Sequence, residues 1–196
     1  MIRFFSALCK ALFKIISTDE QVFHDATGDF QLHSAKCPYC GAIGMLAPYG
    51  GYFRHLVSYE RGKIIDRLVR PFRFECKSCK KTHALLPDIL IPYSPYSIRF
   101  KLSVLIAYFE RETTVVAICE HFRIAVATLY AWKKSFLEHK ELMMGVLVNR
   151  KQTALVFLND LFEIANLSSR IESFFRLYSF SFLQNRSVPA TRSLPP

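Results

Sequence analysis

Apolar and polar residues alternate along two segments of the chain, on either side of residues 60–63. The first alternating run covers residues 52–59 and the second covers residues 64–74. Gly62 lies between them and supplies the positive φ that a tight turn needs. This pattern predicts a β-hairpin, and a shorter run over residues 82–86, which ends at Pro87, predicts a third strand.

Helical spacing replaces alternation after Pro95. Apolar residues recur every three or four positions from Leu102 to Phe109, and Ser94-Pro95 has the order of a cap followed by a first-turn proline. We therefore expect a helix after Ser94. The same spacing predicts further helices over about residues 114–122, 126–139, 155–164 and 171–178.

The first 16 residues are apolar at helical spacing and are interrupted by Lys10 and Lys14. They predict an amphipathic helix that docks on the rest of the protein, with contact to a membrane surface as the alternative. Residues 25–29 suggest a turn, and residues 29–33 a short strand. Residues 88–95 contain three prolines and suggest an extended linker.

These elements predict an α+β protein. We divide it into an N-terminal helix and lead-in (residues 1–35), a zinc ribbon made of the hairpin and third strand (36–93), a helix-turn-helix (94–140), C-terminal helices (141–183) and a flexible tail (184–196). No run of residues approaches the roughly 20 apolar positions that span a bilayer. We therefore expect a cytoplasmic protein with no membrane partner.

Two Cys-x-x-Cys pairs flank the predicted hairpin: Cys37 with Cys40, and Cys76 with Cys79. Zinc prefers four soft ligands in a tetrahedron, and each pair presents two sulfurs from one tight turn, called a knuckle. The spacing predicts one structural Zn²⁺ held by all four cysteines. In this interpretation the hairpin brings the two knuckles together.

Alternatives to four thiolates remain at this stage. A disulfide framework suits small secreted chains, but residues 1–16 do not have the pattern of a secretory signal. His55 and His83 are alternative zinc ligands, His83 above all because it follows Cys79 closely. Cys9 and Cys119 lie within apolar helical patterns, and we expect both to be buried thiols.

The composition is that of a folded protein, with 51% hydrophobic residues and a net charge of +10. Residues 36–83 carry ten lysines and arginines against three acidic side chains, a formal charge of +7. Such a concentration of positive charge favours a polyanionic partner, with nucleic acid preferred over an acidic membrane surface.

Residues 114–134 have the spacing of a helix-turn-helix. Ile118 and Phe122 are placed to pack one short helix against Leu129 and Trp132 of the next, across a tight turn near Arg123. An ordinary helical hairpin is the alternative. In the DNA-binding interpretation, the side chains expected to contact DNA come from the second helix and from the ribbon: Thr128, Tyr130, Lys133, Lys134, Arg54, Arg67, Arg70 and Arg73.

The segment Thr128-Leu-Tyr-Ala-Trp-Lys-Lys134 resembles the recognition helix of helix-turn-helix domains in transposases and their accessory proteins. Together with the Cys-Pro-x-Cys knuckle, it is similar to short bacterial zinc-ribbon proteins associated with mobile elements. The resemblance covers about residues 36–140 and implies duplex DNA binding. It departs at Arg123, where glycine is usual, at Ala125, where a Ser or Thr cap is usual, and at Val126, Ala127 and Ala131, where base-reading side chains are usual.

Two other functions compete with DNA binding. A protein-interaction module would dock on a transposase or polymerase subunit through apolar side chains of the C-terminal helices: Phe157, Leu161, Phe162, Phe174, Phe175 and Tyr178. Core packing or self-association also accounts for them. The third possibility is an inactive mobile-element remnant. We predict no catalytic residues, because the aspartates are scattered and no nucleophile or phosphate-loop motif occurs.

Overall fold

The computed structural model describes residues 2–4, 18–28, 30–147, 153–162 and 167–185. Within these residues the chain is an α+β protein, as predicted. The strands are β1 (Ile2–Phe4), β2 (Leu46–Gly51), β3 (Arg54–Glu60), β4 (Lys63–Val69), β5 (Phe72–Cys76) and β6 (Thr82–Pro87). The helices are α1 (Asp19–Gly28), α2 (Ile98–Glu110), α3 (Val115–Phe122), α4 (Val126–Leu147), α5 (Ala154–Phe162) and α6 (Leu167–Tyr178).

The strands form two sheets. One has four strands in the order β1-β6-β5-β2, in which β1 runs parallel to β6 and the other neighbours are antiparallel. The other sheet is the hairpin β3–β4, whose register pairs Glu60 with Lys63 at the turn. The predicted hairpin and third strand are confirmed, but residues 72–74 leave the hairpin and belong to β5.

The N-terminal region differs from its prediction. Ile2–Phe4 is a strand that pairs with β6, and residues 5–17 lie outside the described residues. α1 is the described helix of the N-terminal region, and it lies after the segment for which a helix was predicted. Thr18 and Gln21 form a reciprocal capping box there, because each side chain accepts a hydrogen bond from the other residue's backbone N–H, at 3.2 and 2.9 Å. The expected short strand near residue 32 is a single 3₁₀ turn, Leu32–Ser34.

The main core lies where the helices meet the hairpin. Leu56 and Val69 of the hairpin share it with residues of every described helix, including Phe23, Phe100 and Phe136. Residues 88–91 are buried in this core, so the predicted extended linker is wrong. Those residues precede the start of α2 at Ile98, where Ser97 caps the helix by accepting from the Phe100 N–H at 3.0 Å.

The later helices lie where the sequence pattern predicts them, although α6 begins four residues before the predicted start at residue 171. α3 and α4 begin and end within two residues of prediction, except that α4 continues to Leu147. Phe157, Leu161 and Phe174 are buried in the core, which supports core packing for the apolar C-terminal helices. Gln184, the first residue of the predicted tail, is also buried, and residues 186–196 lie outside the described residues.

No single helix in the described part of the chain is long and apolar enough to cross a membrane. Among the described residues, one bent pair of helices, α3 with residues 126–144 of α4, has the length and composition of a span, and these two helices are bent by 101° relative to each other.

Candidate metal centre and candidate nucleic-acid interface

The four predicted ligands come together in one cluster. The sulfur atoms of Cys37, Cys40, Cys76 and Cys79 all lie within 4.8 Å of one another. Two of the separations are 3.8 Å, between Cys37 and Cys79, and 3.7 Å, between Cys40 and Cys76. A tetrahedron with metal–sulfur bonds of about 2.3 Å has edges of about 3.8 Å. These residues could therefore hold one metal ion.

The two knuckles have the same backbone conformation. In the first, the Gly41 N–H donates to the Cys37 carbonyl at 3.0 Å, and the Cys37 N–H donates to the Ala42 carbonyl at 2.9 Å. In the second, Lys80 donates to Cys76 at 2.8 Å, and Cys76 donates to Lys81 at 2.9 Å. Each knuckle ends with a residue at positive φ, Gly41 at 78° and Lys80 at 60°. The repetition gives the two pairs equivalent positions around one centre.

The sheet, and not the predicted hairpin, brings the knuckles together. Leu46 at the start of β2 pairs with Cys76 at the end of β5, so the strand pair β2–β5 places the first knuckle beside the second. The interpretation that β3–β4 joins them is wrong because that hairpin forms its own sheet. β2 contains Pro48 and a register shift between Pro48 and Gly50, which an edge strand tolerates.

Electrostatics at the cluster favour one thiolate but oppose a second. Burial disfavours the thiolate of Cys37, yet backbone hydrogen bonds from Cys40 and Tyr39, together with side-chain hydrogen bonds from Cys40 and Cys76, outweigh it and lower the pKa of Cys37 to about 6. At Cys79, the Lys81 N–H favours the thiolate, but burial and the other three cysteine side chains raise the pKa to about 12. Four thiolates at this spacing need a cation to offset their mutual repulsion.

The two histidines considered as ligands lie outside the cluster's four-sulfur set. His83 is buried on β6, with its Nε2 at 3.4 Å from the Cys37 sulfur, so it contacts a ligand. His55 is exposed on β3 and pairs with Asp66 at 2.9 Å. Cys119 is buried in the helical core, as predicted, and Cys9 lies outside the described residues.

Four arginines of the strand region were predicted to contact DNA, and two of them are engaged inside the protein. Arg54 donates to the Ile91 carbonyl at 3.2 Å and to the Ser94 carbonyl. Arg67 forms ion pairs with Glu60 at 3.0 Å and with Glu20 at 2.9 Å. Arg70 is exposed and lies over the Phe53 ring, and the half-buried Arg73 donates to the Thr82 hydroxyl at 3.0 Å.

The second candidate surface is the start of α4. α3 and α4 are joined by residues 123–125, and Arg123 adopts a left-handed φ of 50° with its N–H directed to the last carbonyls of α3. Leu129 and Trp132 are buried, whereas Val126, Ala127, Tyr130, Ala131 and Lys134 are exposed. The early turns of α4 therefore present a free face that carries one aromatic ring and one unburied lysine.

The remaining predicted contacts on α4 are partly covered. Lys133 donates to the Tyr108 hydroxyl at 2.7 Å and its Nζ lies 4.8 Å from the centre of that ring and 5.6 Å from that of Tyr130. Thr128 is half-buried. Lys134 is 80% exposed, with Glu138 at 4.0 Å on the next turn.

Sequence reasoning missed two features near these sites. The strand β2 was hidden because Pro48 and two glycines interrupt its alternation. The contact of Tyr59 with His121, at 2.7 Å between hydroxyl and Nε2, joins β3 to α3, and only the tertiary fold brings these residues together. The first feature completes the sheet that carries Cys76, and the second joins the hairpin to the helices.

Residues 37–132 match a family model described as Domain of unknown function (DUF6431), which covers just under half of the chain. No match to a curated protein or to a solved structure was found. The matched segment begins at the first cysteine of the cluster and ends at Trp132 in α4. It therefore contains the candidate metal centre, the hairpin, α3 and the exposed start of α4.

Proposed function

We propose that this chain binds duplex DNA through a helix-turn-helix formed by α3 and α4, and that its four cysteines hold one structural Zn²⁺. The observation that carries the proposal is the bend of 101° between a short helix and a long one across a three-residue turn. Helix-turn-helix units have interhelical angles of about 90–120°. The second helix of such a unit enters the major groove with its first turns.

The exposure of α4 supports this assignment. Its buried residues, Leu129, Trp132 and Phe136, pack on the core, which leaves the opposite side of its first turns open to a partner. Tyr130 and Lys134 lie on that open side, and the net charge of +10 favours a polyanion. Since Val126, Ala127 and Ala131 provide no hydrogen-bond donors for base edges, we expect contacts to phosphate to dominate and sequence preference to be modest.

Zinc is the metal that best suits the cluster. Four thiolates in tetrahedral spacing are typical of zinc or iron–sulfur chemistry, and a single ion with four protein ligands is typical of structural zinc. Lys77, Lys80 and Lys81 surround the second knuckle and would offset the formal charge of −2 that four thiolates and Zn²⁺ carry. The role of the metal is then to fix the β2–β5 pair.

The resemblance to mobile-element proteins extends this proposal to a role beside a transposase or in transcription regulation, in the cytoplasm. A direct test of the DNA-binding part is fluorescence anisotropy with a labelled duplex at several salt concentrations. We expect binding that weakens steeply with salt, because released counterions drive it. Replacing Lys133 and Lys134 together with alanine is expected to weaken binding and to reduce the salt slope by about two.

A matched control removes two positive charges elsewhere. Arg170 and Arg176 lie on α6, where Arg176 pairs with Glu172, and their replacement with alanine should leave duplex affinity close to that of the unmodified protein. Equal weakening in both double variants would show that net charge alone drives binding. Absence of binding, or binding without salt dependence, would contradict the proposal and favour a protein-interaction module.

A further inference from the structure

Large apolar side chains are exposed around the cysteine-bearing strands, where the core does not cover them. The aromatic members are 36–98% exposed: Tyr39, Tyr49, Tyr52, Phe53, Phe72 and Tyr93. Isolated exposed aromatics are ordinary on a protein surface. Six exposed aromatics within one segment of 55 residues, however, provide several rings on which the planar groups of a ligand can stack. The duplex-binding surface proposed above lies on α4 and does not include these six rings.

Three of these rings have a positive side chain beside them. Lys81 lies 5.5 Å from the centre of the Tyr39 ring, Arg73 lies 5.8 Å from that of Tyr49, and Arg70 lies 5.7 Å from that of Phe53. In the described part of the chain, no acidic side chain forms an ion pair with any of these three cations. Their charges are therefore available to an anionic partner.

The three cation–ring pairs follow the β2–β5 ladder from one end to the other. Tyr39 and Lys81 belong to the two knuckles, next to Cys76, which pairs with Leu46. Arg73 pairs with Gly50, the residue after Tyr49, next to the last pair of the ladder. Arg70 and Phe53 lie just beyond the last pair, Gly51 with Phe72. Aromatic rings and positive charges therefore lie together at both ends of the ladder, with one pair at the cysteine end and two near the opposite end.

A depression of about 530 Å³ lies beside the hairpin end of this ladder, lined by Tyr52, Arg54, His55, Tyr93, Ser94 and Pro95. Arg54 is held in place by the Ile91 and Ser94 carbonyls, both of which accept from its Nη2. Its Nε and Nη1 donors have no hydrogen-bond acceptor among the described residues. Tyr93 is 98% exposed at a φ of 60°, so a solvent-exposed ring is held at the rim of the depression.

We propose that this surface binds single-stranded DNA, with unpaired bases stacked on the tyrosine and phenylalanine rings and phosphates held by Arg54, Arg70, Arg73 and Lys81. Rings interleaved with cations match the alternation of base and phosphate along a single strand. A duplex does not fit this surface equally well, because the faces of its bases are already stacked on one another. This inference rests on the proposed duplex-binding function in one respect: that function is the reason for choosing DNA and not RNA as the single-stranded ligand.

The test uses the full-length protein and a labelled 15-nucleotide oligothymidine, which forms no duplex, measured by anisotropy at low and moderate salt. Tyr93→Ala and Tyr52→Ala should each weaken binding about 5-fold to 100-fold, the range that follows from loss of one base–aromatic stack. Tyr93→Phe and Tyr52→Phe keep the ring and should retain affinity within about 2-fold. Leu177→Ala, which removes an exposed apolar side chain of α6, is the off-site control.

Tyr93 is nearly fully exposed, so its replacement leaves the folded core intact, and circular dichroism of each variant checks this. The inference is overturned if oligothymidine does not bind, or if the alanine and phenylalanine variants bind it equally well. Duplex binding is measured in parallel. If the variant that lacks Lys133 and Lys134 loses duplex binding but still binds oligothymidine, the two sites are independent. Failure of the duplex proposal and failure of the single-strand proposal are then distinguishable.

Discussion

The four-stranded sheet and the helical region differ in how much apolar surface they bury. The buried cluster beside the cysteines is small, made of Cys37, Leu46, Phe74, Cys76 and Leu85. The core between the helices and the hairpin is far larger and includes Phe100, Phe136, Phe157 and Phe174. A small core supplies little burial free energy, so the sheet needs an additional constraint. The helical region does not, because its own apolar burial is extensive.

This difference also explains which surfaces are free. In the proposed function a metal fixes the β2–β5 pair, so the rings of Tyr39, Tyr49 and Phe53 are not needed for a core and stay exposed. In the helical region, most large apolar side chains are used inside. The outer face of the first turns of α4, around Tyr130 and Lys134, is one part of that region that remains exposed.

The largest expected effect is that of metal removal on the sheet alone. Structural zinc contributes roughly 10–16 kcal/mol in small metal-dependent units, so a chelator should unfold the β2–β5–β6 strands. Amides of Cys76 and of its neighbours in β5 should lose protection from hydrogen exchange. Trp132, the single tryptophan, lies in the helical core and should keep its buried fluorescence. Simultaneous exposure of Trp132 would mean that the two regions unfold as one.

The next effect is a core substitution in the helical region. Phe136 is fully buried among Phe109, Phe157 and Phe182, and Phe136→Ala should lower the free energy of unfolding by about 3–5 kcal/mol. Thermal unfolding followed by Trp132 fluorescence measures it. Leu177→Ala, at an exposed position, is the control and should change stability little. Metal content should be the same in both variants, and its loss in Phe136→Ala would contradict independent stabilisation.

A smaller effect is expected from acid on the helical core. His139 is buried and accepts a hydrogen bond from the Leu183 N–H at 3.0 Å. Burial, with Lys101 nearby, lowers the pKa of His139 to about 4, from 6.5. The unfolded chain therefore binds a proton that the folded chain does not between about pH 6.5 and 4. Stability should fall by about 2 kcal/mol from pH 7 to pH 5.

Urea unfolding followed by Trp132 fluorescence at the two pH values measures this change. Asparagine at position 139 keeps a hydrogen-bonding side chain but does not titrate, so His139→Asn should lose less stability than the unmodified protein over the same interval. An identical loss in both would assign the acid sensitivity to other groups. Trp132 fluorescence reports unfolding of the helical core, so it distinguishes the loss of stability caused by His139 from changes caused by protonation of the cysteines.

Local patterns were sufficient to predict the cysteine cluster and the helices after Pro95. A Cys-x-x-Cys pair determines its own turn, and the helical spacing from Val115 to Trp132 is set by residues close in sequence. The pairing of β2 with β5 was not predictable in this way, because Pro48, Gly50 and Gly51 weaken the strand pattern and the partner lies more than 20 residues away. Strand pairing depends on tertiary context more than helix formation does.

Two further parts of the fold were not predicted, for different reasons. Residues 88–91 have the prolines of a linker around them, yet the apolar side chains among them are buried in the core that the hairpin and the helices share. The capping box of Thr18 and Gln21 was readable in the sequence, but the helix that it starts has few apolar positions, Val22, Phe23 and Ala26 being those that are buried. The apolar run before it was the stronger pattern.

The most direct test of the account is the metal content of the purified protein, measured by elemental analysis together with the mass of the native protein. The account predicts one zinc ion per chain in the unmodified protein and in Cys119→Ser, which changes a buried cysteine outside the cluster. It predicts loss of that ion in Cys37→Ser and in Cys76→Ser, with the buried fluorescence of Trp132 retained. A metal-free unmodified protein with a protected β2–β5 pair would contradict it.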